Sequence, residues 1–540
     1  MLMRTRRLLL VVFAAALGAH AGCIPVSVPV LPTGTPPASD VTFRIDSSLD
    51  RRYIYPTIYG VNEPTTWSGK QGVTLMRLGG NRWTAYNWEN NASNAGSDWH
   101  NQNDGYLSGG NTPGEAVRTP VANAFTMGAA AIVTIPMAGY VAADKLGGGD
   151  VNQTPNYLDV RFRRSLPAKG APFASKPDTS DAFVYQDEFV AWLESRFPGA
   201  HGTTGHRLFY ALDNEPDLWA YTHARIHPSP VRYDELVDRT IDMASAIKNV
   251  APKAMVFGPV SYGWNGFVTL QDAPDASAHG DFLDWYLDEL RAEETRQGRT
   301  LVDVLDLHWY PEATGGGQRI TDGGTSPAVV DARLQAPRSL WDPTYTETSW
   351  ITQWSTGGPI ALLPRMQAKI HAHKPGTLLA LSEYNYGDGS NISGGIAEAD
   401  VLGIFGREGV FAATLWELAP PERYLYGALA MYRNYDGAGG AFGDVSVRAT
   451  TDDIVRSSVY ASVDALRDDR MVLVALNKTA SPLTAGFAVA HTRRFSHAEV
   501  YLLTSASWTP ARAADLAIAP DGTFQASLPA DSVVTLVLRP

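Results

Sequence analysis

Cysteine is nearly absent from this sequence of 540 residues, because Cys23 is the only one. Without a second cysteine no intrachain disulfide can form, so core packing alone must hold the folded chain. An excess of basic residues is also absent, since 44 lysines and arginines stand against 56 aspartates and glutamates. The formal net charge of −12 disfavours nucleic acid and anionic membrane surfaces as partners.

Long apolar runs are absent except at the N-terminus, which excludes a membrane span in the rest of the chain. Arginines at positions 4, 6 and 7 precede an apolar run at residues 8–17, the layout of a bacterial export signal. We therefore expect residues 1–23 to direct export and the protein to be secreted or held at the cell surface. Cys23 fits a lipid-anchor site, whereas the tripeptide Ala-His-Ala at 19–21 fits ordinary cleavage, and both alternatives stay open.

The middle of the chain alternates short apolar runs with longer stretches. Residues 24–40 are rich in Pro, Ser and Thr and are expected to form an extended linker. Residues 58–440 contain eight apolar runs, mostly separated by enough chain for a helix, which predicts a (β/α)8 TIM barrel of the α/β class. A doubly wound sheet would need a glycine-rich nucleotide loop after its first strand, and none is present. The predicted strands are residues 58–61, 74–78, 131–135, 208–212, 255–259, 302–307, 378–381 and 411–415.

The C-terminal part has a different pattern. Residues 441–540 consist of short alternating runs with turns between them and no helical period, which predicts an additional antiparallel β-sandwich domain. Residues 41–57 hold another alternating strand before the barrel. Because chain termini often lie close together, we expect this strand to join the sandwich.

Two of the predicted barrel strands end in glutamate, the fourth at Glu215 and the seventh at Glu383. A lone glutamate after a strand is usually a helix cap or an ion-pair partner. The carboxyl ends of all eight strands meet at one face of a barrel, however, and strands four and seven lie across its mouth. We expect the two carboxyl groups about 5 Å apart, the spacing of retaining glycosidases, with Glu215 as general acid/base and Glu383 as nucleophile. Asn214 is then placed to hydrogen-bond the sugar 2-hydroxyl.

Aromatic and polar side chains near the other strand ends are candidates for substrate binding. Flat rings stack on sugar faces, although packing within the barrel is the alternative for each of them. His308 or Tyr310 could instead hydrogen-bond the nucleophile, and Arg77 could hold a carboxylate or serve the structure alone. The substrate-binding candidates besides Asn214 are Trp88, His308, Tyr310, Trp350, Trp354 and Trp416.

A metal is not expected to take part in the chemistry, because two carboxyl groups suffice for this reaction. Acidic and amide side chains in loops could nevertheless bind a structural calcium ion. They lack the spacing of an EF-hand, so solvated loop residues are the stronger interpretation. The calcium candidates are Asp98, Asn103, Asp104 and Asp150.

An ordered set of motifs carries a resemblance to a known family. The segment MRLGGNRWTAYNWENNASNAGSDW at 76–99 is followed by LDNEPDLW, LDLHWYPE and SEYNYG. With these motifs the chain resembles glycoside hydrolase family 44, the endoglucanases and xyloglucanases of a retaining barrel clan. The resemblance implies the acid/base at Glu215, the nucleophile at Glu383, sugar platforms at Trp350, Trp354 and Trp416, and a sandwich built from both chain ends. Asn385 departs from the Asp expected in the last motif, which removes a charge beside Glu383.

The sequence thus predicts a retaining endo-β-1,4-glucanase that hydrolyses β-glucans such as xyloglucan and soluble cellulose derivatives. We expect it to act as a monomer without a cofactor. The alternatives are another retaining hemicellulase, such as a xylanase or mannanase, a transglycosylase, or a non-catalytic polysaccharide-binding protein on the same scaffold. Whether the sandwich binds polysaccharide or only supports the barrel is left open, and its few aromatic residues favour support.

Overall fold

The computed structural model describes residues 30–31, 33–64, 66–70, 72–201 and 207–540. The predicted export signal at 1–23, Cys23 and the first part of the predicted linker lie outside these residues. The later part of the linker runs along the sandwich, where the Gly34 amide donates to the Asp521 carbonyl at 3.1 Å and the Asp40 amide to the Thr484 carbonyl at 2.9 Å. Among the described helices, none combines the length and apolar character needed to cross a membrane.

Eight parallel strands close into a barrel in chain order, which confirms the predicted fold. The first strand closes the barrel by pairing with the eighth, through Gly60 with Thr414 and Val61 with Leu415. The predicted runs fall on these strands to within a few residues. The barrel strands are Gly60–Asn62, Leu75–Leu78, Ala130–Ile135, Leu208–Leu212, Val256–Ser261, Val304–Trp309, Leu378–Tyr384 and Ala412–Leu415.

Helices of 11 to 18 residues follow the second to the eighth strand and form the outer layer. The described part of residues 63–74, between the first two strands, contains no helix. In helix Phe282–Gln297 local sequence sets both ends. The Asp281 side chain caps the N-terminus, and Gly298, at φ 67°, ends the helix. The outer helices are Glu115–Thr126, Gln186–Arg196, Tyr233–Val250, Phe282–Gln297, Leu362–His373, Ile392–Glu408 and Arg423–Arg433, with Pro327–Gln335 as an additional helix after the sixth strand.

Short elements decorate the loops at the carboxyl ends of the strands. A π-helical turn, Ile351–Thr356, precedes the helix after strand six. The short helices are Asn81–Thr84, Tyr157–Val160, Trp219–Thr222, Trp264–Thr269 and Ala276–His279, and the short strands are Ser93–Asn94, Asn103–Asp104, Tyr140–Ala142, Phe162–Leu166, Phe183–Tyr185, Thr314–Gly315 and Gln318–Arg319.

The second domain is a mostly antiparallel sheet that folds over one apolar core. Its N-terminal strand, Val41–Asp46, lies parallel to Leu483–Ala490 and antiparallel to Val445–Thr451, so both ends of the chain build the sheet. Phe487 stacks on Phe524 in this core at 4.5 Å. The strand order is Ser507–Ala517, His497–Thr504, Ser532–Arg539, Arg467–Asn477, Ser457–Asp464, Val445–Thr451, Val41–Asp46, Leu483–Ala490 and Thr523–Leu528, with Arg52–Tyr53 paired to Val445–Thr451.

The outer face of this sheet packs against the last two barrel helices. Tyr460 and Tyr501 of the sheet belong to the same apolar cluster as the barrel core. A buried ion pair crosses the boundary, with Lys478 Nζ 2.6 Å from Asp400 Oδ2, and the Tyr460 hydroxyl donates to the other oxygen of Asp400 at 2.6 Å. Because every oxygen of this buried carboxylate has a donor, the contact fixes the sheet firmly on the barrel.

Candidate active site

Three side chains meet above the centre of the barrel, at the carboxyl ends of strands four, six and seven. One carboxyl oxygen of Glu215, one of Glu383 and one ring nitrogen of His308 all lie within 4.8 Å of one another. Glu215 and Tyr310 line a cleft of about 350 Å³ at this point. The parallel strands explain the meeting, since residues far apart in sequence end at the same barrel face.

The Glu215 carboxyl group is held in an environment that favours its protonated form. Burial raises its pKa from 4.5 to about 7, with the Asp98 charge adding to the rise and Arg77 opposing it. His308 Nδ1 lies 2.8 Å from Glu215 Oε1, and burial lowers the pKa of His308 to about 3. The imidazole is therefore neutral and can share a hydrogen bond with Glu215 without placing a cation beside it.

Glu383 has a charged partner on one carboxyl oxygen and a hydroxyl partner on the other. Arg77 Nη1 lies 2.7 Å from Oε1, and the Tyr310 hydroxyl donates to Oε2 at 2.9 Å. A guanidinium cation and a hydroxyl donor therefore hold its two oxygens in place. Of the two alternatives for Arg77, the structure shows the carboxylate-holding one, and of the two candidates for bonding Glu383 it shows Tyr310.

Asn214 is fixed by the same arginine. Its Oδ1 accepts from Arg77 Nη2 at 2.8 Å and from the Gly80 amide at 3.0 Å, while its Nδ2 donates to Asn81 Oδ1 at 3.2 Å. Gly80 has φ 86°, and a Cβ there would lie 2.7 Å from the ring of Trp416. A glycine is thus required where the second strand, Asn214 and Trp416 come together.

The aromatic candidates divide between cleft and core. Trp350 lines the cleft, Trp354 is 76% exposed on the π-helical turn, and Trp416 is half-buried. Trp88 is only 1% exposed and stacks on Phe189 with ring centroids 5.6 Å apart. The expectation that Trp88 binds substrate is therefore corrected, because its ring faces are used in packing.

Two residues that line the cleft were not predicted from the sequence. Tyr262 and Trp264 line the cleft after strand five, which continues to Ser261 rather than ending at residue 259. Trp264 Nε1 donates to Ser355 Oγ at 2.7 Å and so ties this side of the cleft to the π-helical turn. Placing the strand end two residues later would have marked both rings as strand-end residues.

Asn385 does not act on Glu383 directly. Its Nδ2 donates to the Trp416 carbonyl at 2.7 Å and to Glu422 Oε2 at 3.0 Å. An aspartate could donate neither bond and would bring a second carboxylate against Glu422. The departure from the expected motif therefore fits the neighbours of this position.

The four calcium candidates are not gathered into one ligand set. Asp104 pairs with Arg82 at 2.6 Å, and Asp150 pairs with Arg225 at 2.5 Å. Asp98 accepts from Asn81, and the Asn103 amide donates to the Arg161 carbonyl. Within the described residues, the cluster with metal-ligand geometry is instead the one formed by Glu215, His308 and Glu383.

Comparison with known proteins places this geometry in a family. A family model described as glycoside hydrolase family 44 matches residues 92–313. The chain is 43% identical over 516 residues to endoglucanase A of Paenibacillus lautus, covering 92% of this chain and 72% of that protein. It is 41% identical over 494 residues to the β-mannanase/endoglucanase A of Caldicellulosiruptor saccharolyticus, covering 86% of this chain and 36% of that longer protein.

A solved structure extends the likeness to three dimensions. The family 44 xyloglucanase of Paenibacillus polymyxa, determined with xyloglucan, superposes with a TM-score of 0.89 at 41% identity, covering 93% of this chain and 99% of that one. Fold and sequence agree. The chain is a glycoside hydrolase and belongs to glycoside hydrolase family 44.

Proposed function

We propose that this protein is a retaining endo-β-1,4-glucanase that acts on xyloglucan and soluble cellulose derivatives. The observation that carries the proposal is the pair of carboxyl groups, with oxygens of Glu215 and Glu383 within 4.8 Å of each other. A separation near 5 Å leaves no room for a water between carboxylate and sugar, whereas inverting enzymes need roughly 6.5–9.5 Å.

In the first step the Glu383 carboxylate attacks the anomeric carbon. The bond from that carbon to the glycosidic oxygen breaks, and Glu215 gives its proton to the departing oxygen. Arg77 and Tyr310 orient Glu383 for the attack, and the raised pKa of Glu215 keeps the proton available near neutral pH. The product is a glycosyl ester on Glu383 with inverted configuration.

In the second step water enters from the side that the leaving sugar vacated. Glu215, now a carboxylate, takes a proton from the water while the water oxygen attacks the anomeric carbon and releases Glu383. Two inversions give net retention. Neutral His308 beside Glu215 holds the carboxyl group in place through both protonation states. Asn214, fixed by Arg77, is proposed to meet the sugar 2-hydroxyl.

The substrate assignment is supported by the aromatic residues along the cleft and by the names of the relatives. Trp350, Trp354 and Trp416 are proposed to stack on successive sugars of an extended chain. The Paenibacillus relatives are named endoglucanase and xyloglucanase, and such chains have the flat β-1,4-linked backbone that these rings suit.

A mannanase activity is the second candidate, because the Caldicellulosiruptor relative is named a β-mannanase/endoglucanase. Reducing-sugar release and product size should be measured on xyloglucan, carboxymethyl cellulose, lichenan, xylan and mannan. Rapid shortening of xyloglucan or carboxymethyl cellulose supports the proposal. Activity confined to mannan or xylan would overturn the substrate class and leave the two glutamates in place.

The roles of the two glutamates are tested separately. Glu215→Gln and Glu383→Gln should each lower kcat by about 10³-fold while polymer binding persists. Glu312→Gln, a cleft glutamate outside the pair, is the matched control and should keep most of the activity. Proton NMR of the first product should show the β-anomer, and an initial α-anomer would contradict retention.

Export is proposed from residues 1–23, with Cys23 either lipidated or left in a cleaved protein. Incorporation of labelled fatty acid in the producing cell, compared between wild type and Cys23→Ser, separates the two outcomes.

A further inference from the structure

A groove of about 410 Å³ lies where the last barrel helix meets the edge of the sandwich sheet. Helix Arg423–Arg433 forms one wall, and Ser507–Ala517, the strand at one end of the sheet order, forms the other. The two walls approach closely at Gly427, where a Cβ would lie 2.3 Å from the Trp508 carbonyl oxygen. The groove therefore belongs to the junction of the two domains and to neither alone.

Aromatic rings line this groove from both sides. Tyr426 and Tyr435 come from the barrel, and Tyr501 and Trp508 come from the sandwich. Tyr435 and Tyr501 pack against each other with ring centroids 4.9 Å apart, and both are buried. Trp508 is 39% exposed, with the Arg423 guanidinium 5.6 Å from its ring, so it alone of the four offers a large accessible ring.

Polar groups lie along the same groove. Asn434, Asp436 and Arg512 border it. Asn434 Oδ1 accepts from the Gly439 amide at 2.8 Å, and no hydrogen bond among the described residues uses Asn434 Nδ2 or Trp508 Nε1. An exposed ring flanked by unused donors and a carboxylate matches a sugar, which has apolar faces and hydroxyl groups along its edge.

One residue of the groove, Tyr426, interacts with the segment that follows the eighth barrel strand. Trp416 is followed by Glu417, and burial together with the adjacent Glu417 carboxyl raises the pKa of Tyr426. The Lys70 ammonium lies 4.1 Å from the centre of the Tyr426 ring.

We propose that this groove binds a segment of the β-glucan chain outside the catalytic cleft. The inference rests on the proposed polysaccharide substrate. It means that the sandwich domain contributes residues that bind this substrate. A second contact on the same polymer raises its local concentration at the cleft, so long chains gain affinity that short oligosaccharides do not. The sandwich then does more than support the barrel.

The test compares polymer and oligosaccharide binding in the full chain. In a Glu383→Gln background, which stops hydrolysis, binding of xyloglucan polymer and of a xyloglucan heptasaccharide is measured by titration calorimetry. Trp508→Ala should weaken polymer binding by about tenfold and leave heptasaccharide binding unchanged. Ala430→Gln, which places a longer uncharged side chain in the groove, should act in the same direction.

Tyr53→Ala is the matched control, because Tyr53 is an exposed ring of the same sheet, 51% accessible and several strands away from the groove. Polymer affinity within twofold of the background in Trp508→Ala overturns the proposal, and so does an equal loss in Tyr53→Ala. Failure of the proposed function would look different, because the wild type would then release no reducing sugar from any β-glucan.

Discussion

The proton on Glu215 should set the alkaline limit of activity. Its pKa is raised from 4.5 to about 7, chiefly by burial. An acid of that pKa is protonated in about half of the molecules at pH 7 and in about one of ten at pH 8. With the ordinary value of 4.5, about one molecule in 300 would carry the proton at pH 7. Because the proposed first step uses the protonated acid, kcat/KM should fall about tenfold per pH unit above pH 7.

Removing the negative charge of Asp98 should lower the pKa of Glu215. Asp98 adds to the rise in the pKa of Glu215, so Asp98→Asn should move the alkaline limb to lower pH. An asparagine oxygen can still accept from Asn81, whose Nδ2 donates to Asp98 at 2.7 Å. The shift should shrink at high salt, since Asp98 is exposed. Glu289→Gln, on the outer face of helix Phe282–Gln297, is the control and should leave the limb in place.

The assay is the pH profile of kcat/KM, measured with xyloglucan and with a dinitrophenyl glycoside. The dinitrophenolate leaves without a proton, so the first step needs no acid. The alkaline limb of kcat/KM should therefore disappear for that substrate. A limb that persists there, or one centred near pH 4.5 with xyloglucan, would refute the assignment of the limb to Glu215.

Three further predictions concern buried charges. Lys478→Met leaves Asp400 unpaired at the domain boundary and should cost about 3–5 kcal/mol in urea unfolding, with part of the loss restored by adding Asp400→Asn. Burial raises the pKa of Glu398 to about 8, so its contribution to stability is lost as pH rises from 4.5 toward 8. Glutamine does not titrate, so the melting temperature of Glu398→Gln should fall less between pH 5 and pH 8 than that of the wild type. An equal fall in both proteins would contradict this prediction. Zn²⁺ should inhibit reversibly at the cluster of His308 and the two carboxyl groups, and undiminished inhibition of an active His308→Asn variant would exclude that site.

The fold could be predicted because its physical basis is local. Each barrel strand is a short apolar run, and the run at Leu208–Leu212 coincides with the observed strand. That Glu215 and Glu383 lie close together could be predicted for the same reason, since a parallel barrel brings all strand ends to one face. The fifth strand was predicted to end at residue 259, whereas Val256–Ser261 continues for two residues beyond Pro259, although proline is unusual inside a strand. Because of that earlier end, Tyr262 and Trp264 were not predicted.

Contacts between side chains that are distant in sequence could not be predicted from the local pattern. Trp88 and Trp416 both follow barrel strands, and nothing in their neighbouring sequence shows that the first stacks on Phe189 while the second borders Gly80. Arg77 could be placed at a strand end but its partners could not, because Glu383 is 306 residues away along the chain. The hydrophobic pattern of the sequence places a residue on a strand or helix, whereas tertiary packing determines which distant residue it contacts.

The backbone around Glu215, the proposed acid/base, is held by contacts that lie outside the cleft. Asp213 and Glu215 have φ values of 64° and 44°, in the left-handed region that side chains rarely adopt. Such strain persists only where neighbours hold it. The Asp213 carboxylate accepts from Thr84 Oγ1 at 2.6 Å and from the Ala138 amide at 3.1 Å, and so ties the turn to the second and third barrel segments. The backbone that positions Glu215 therefore depends on a fully buried aspartate two residues before it, so the residues that shape this turn extend beyond the glutamate itself.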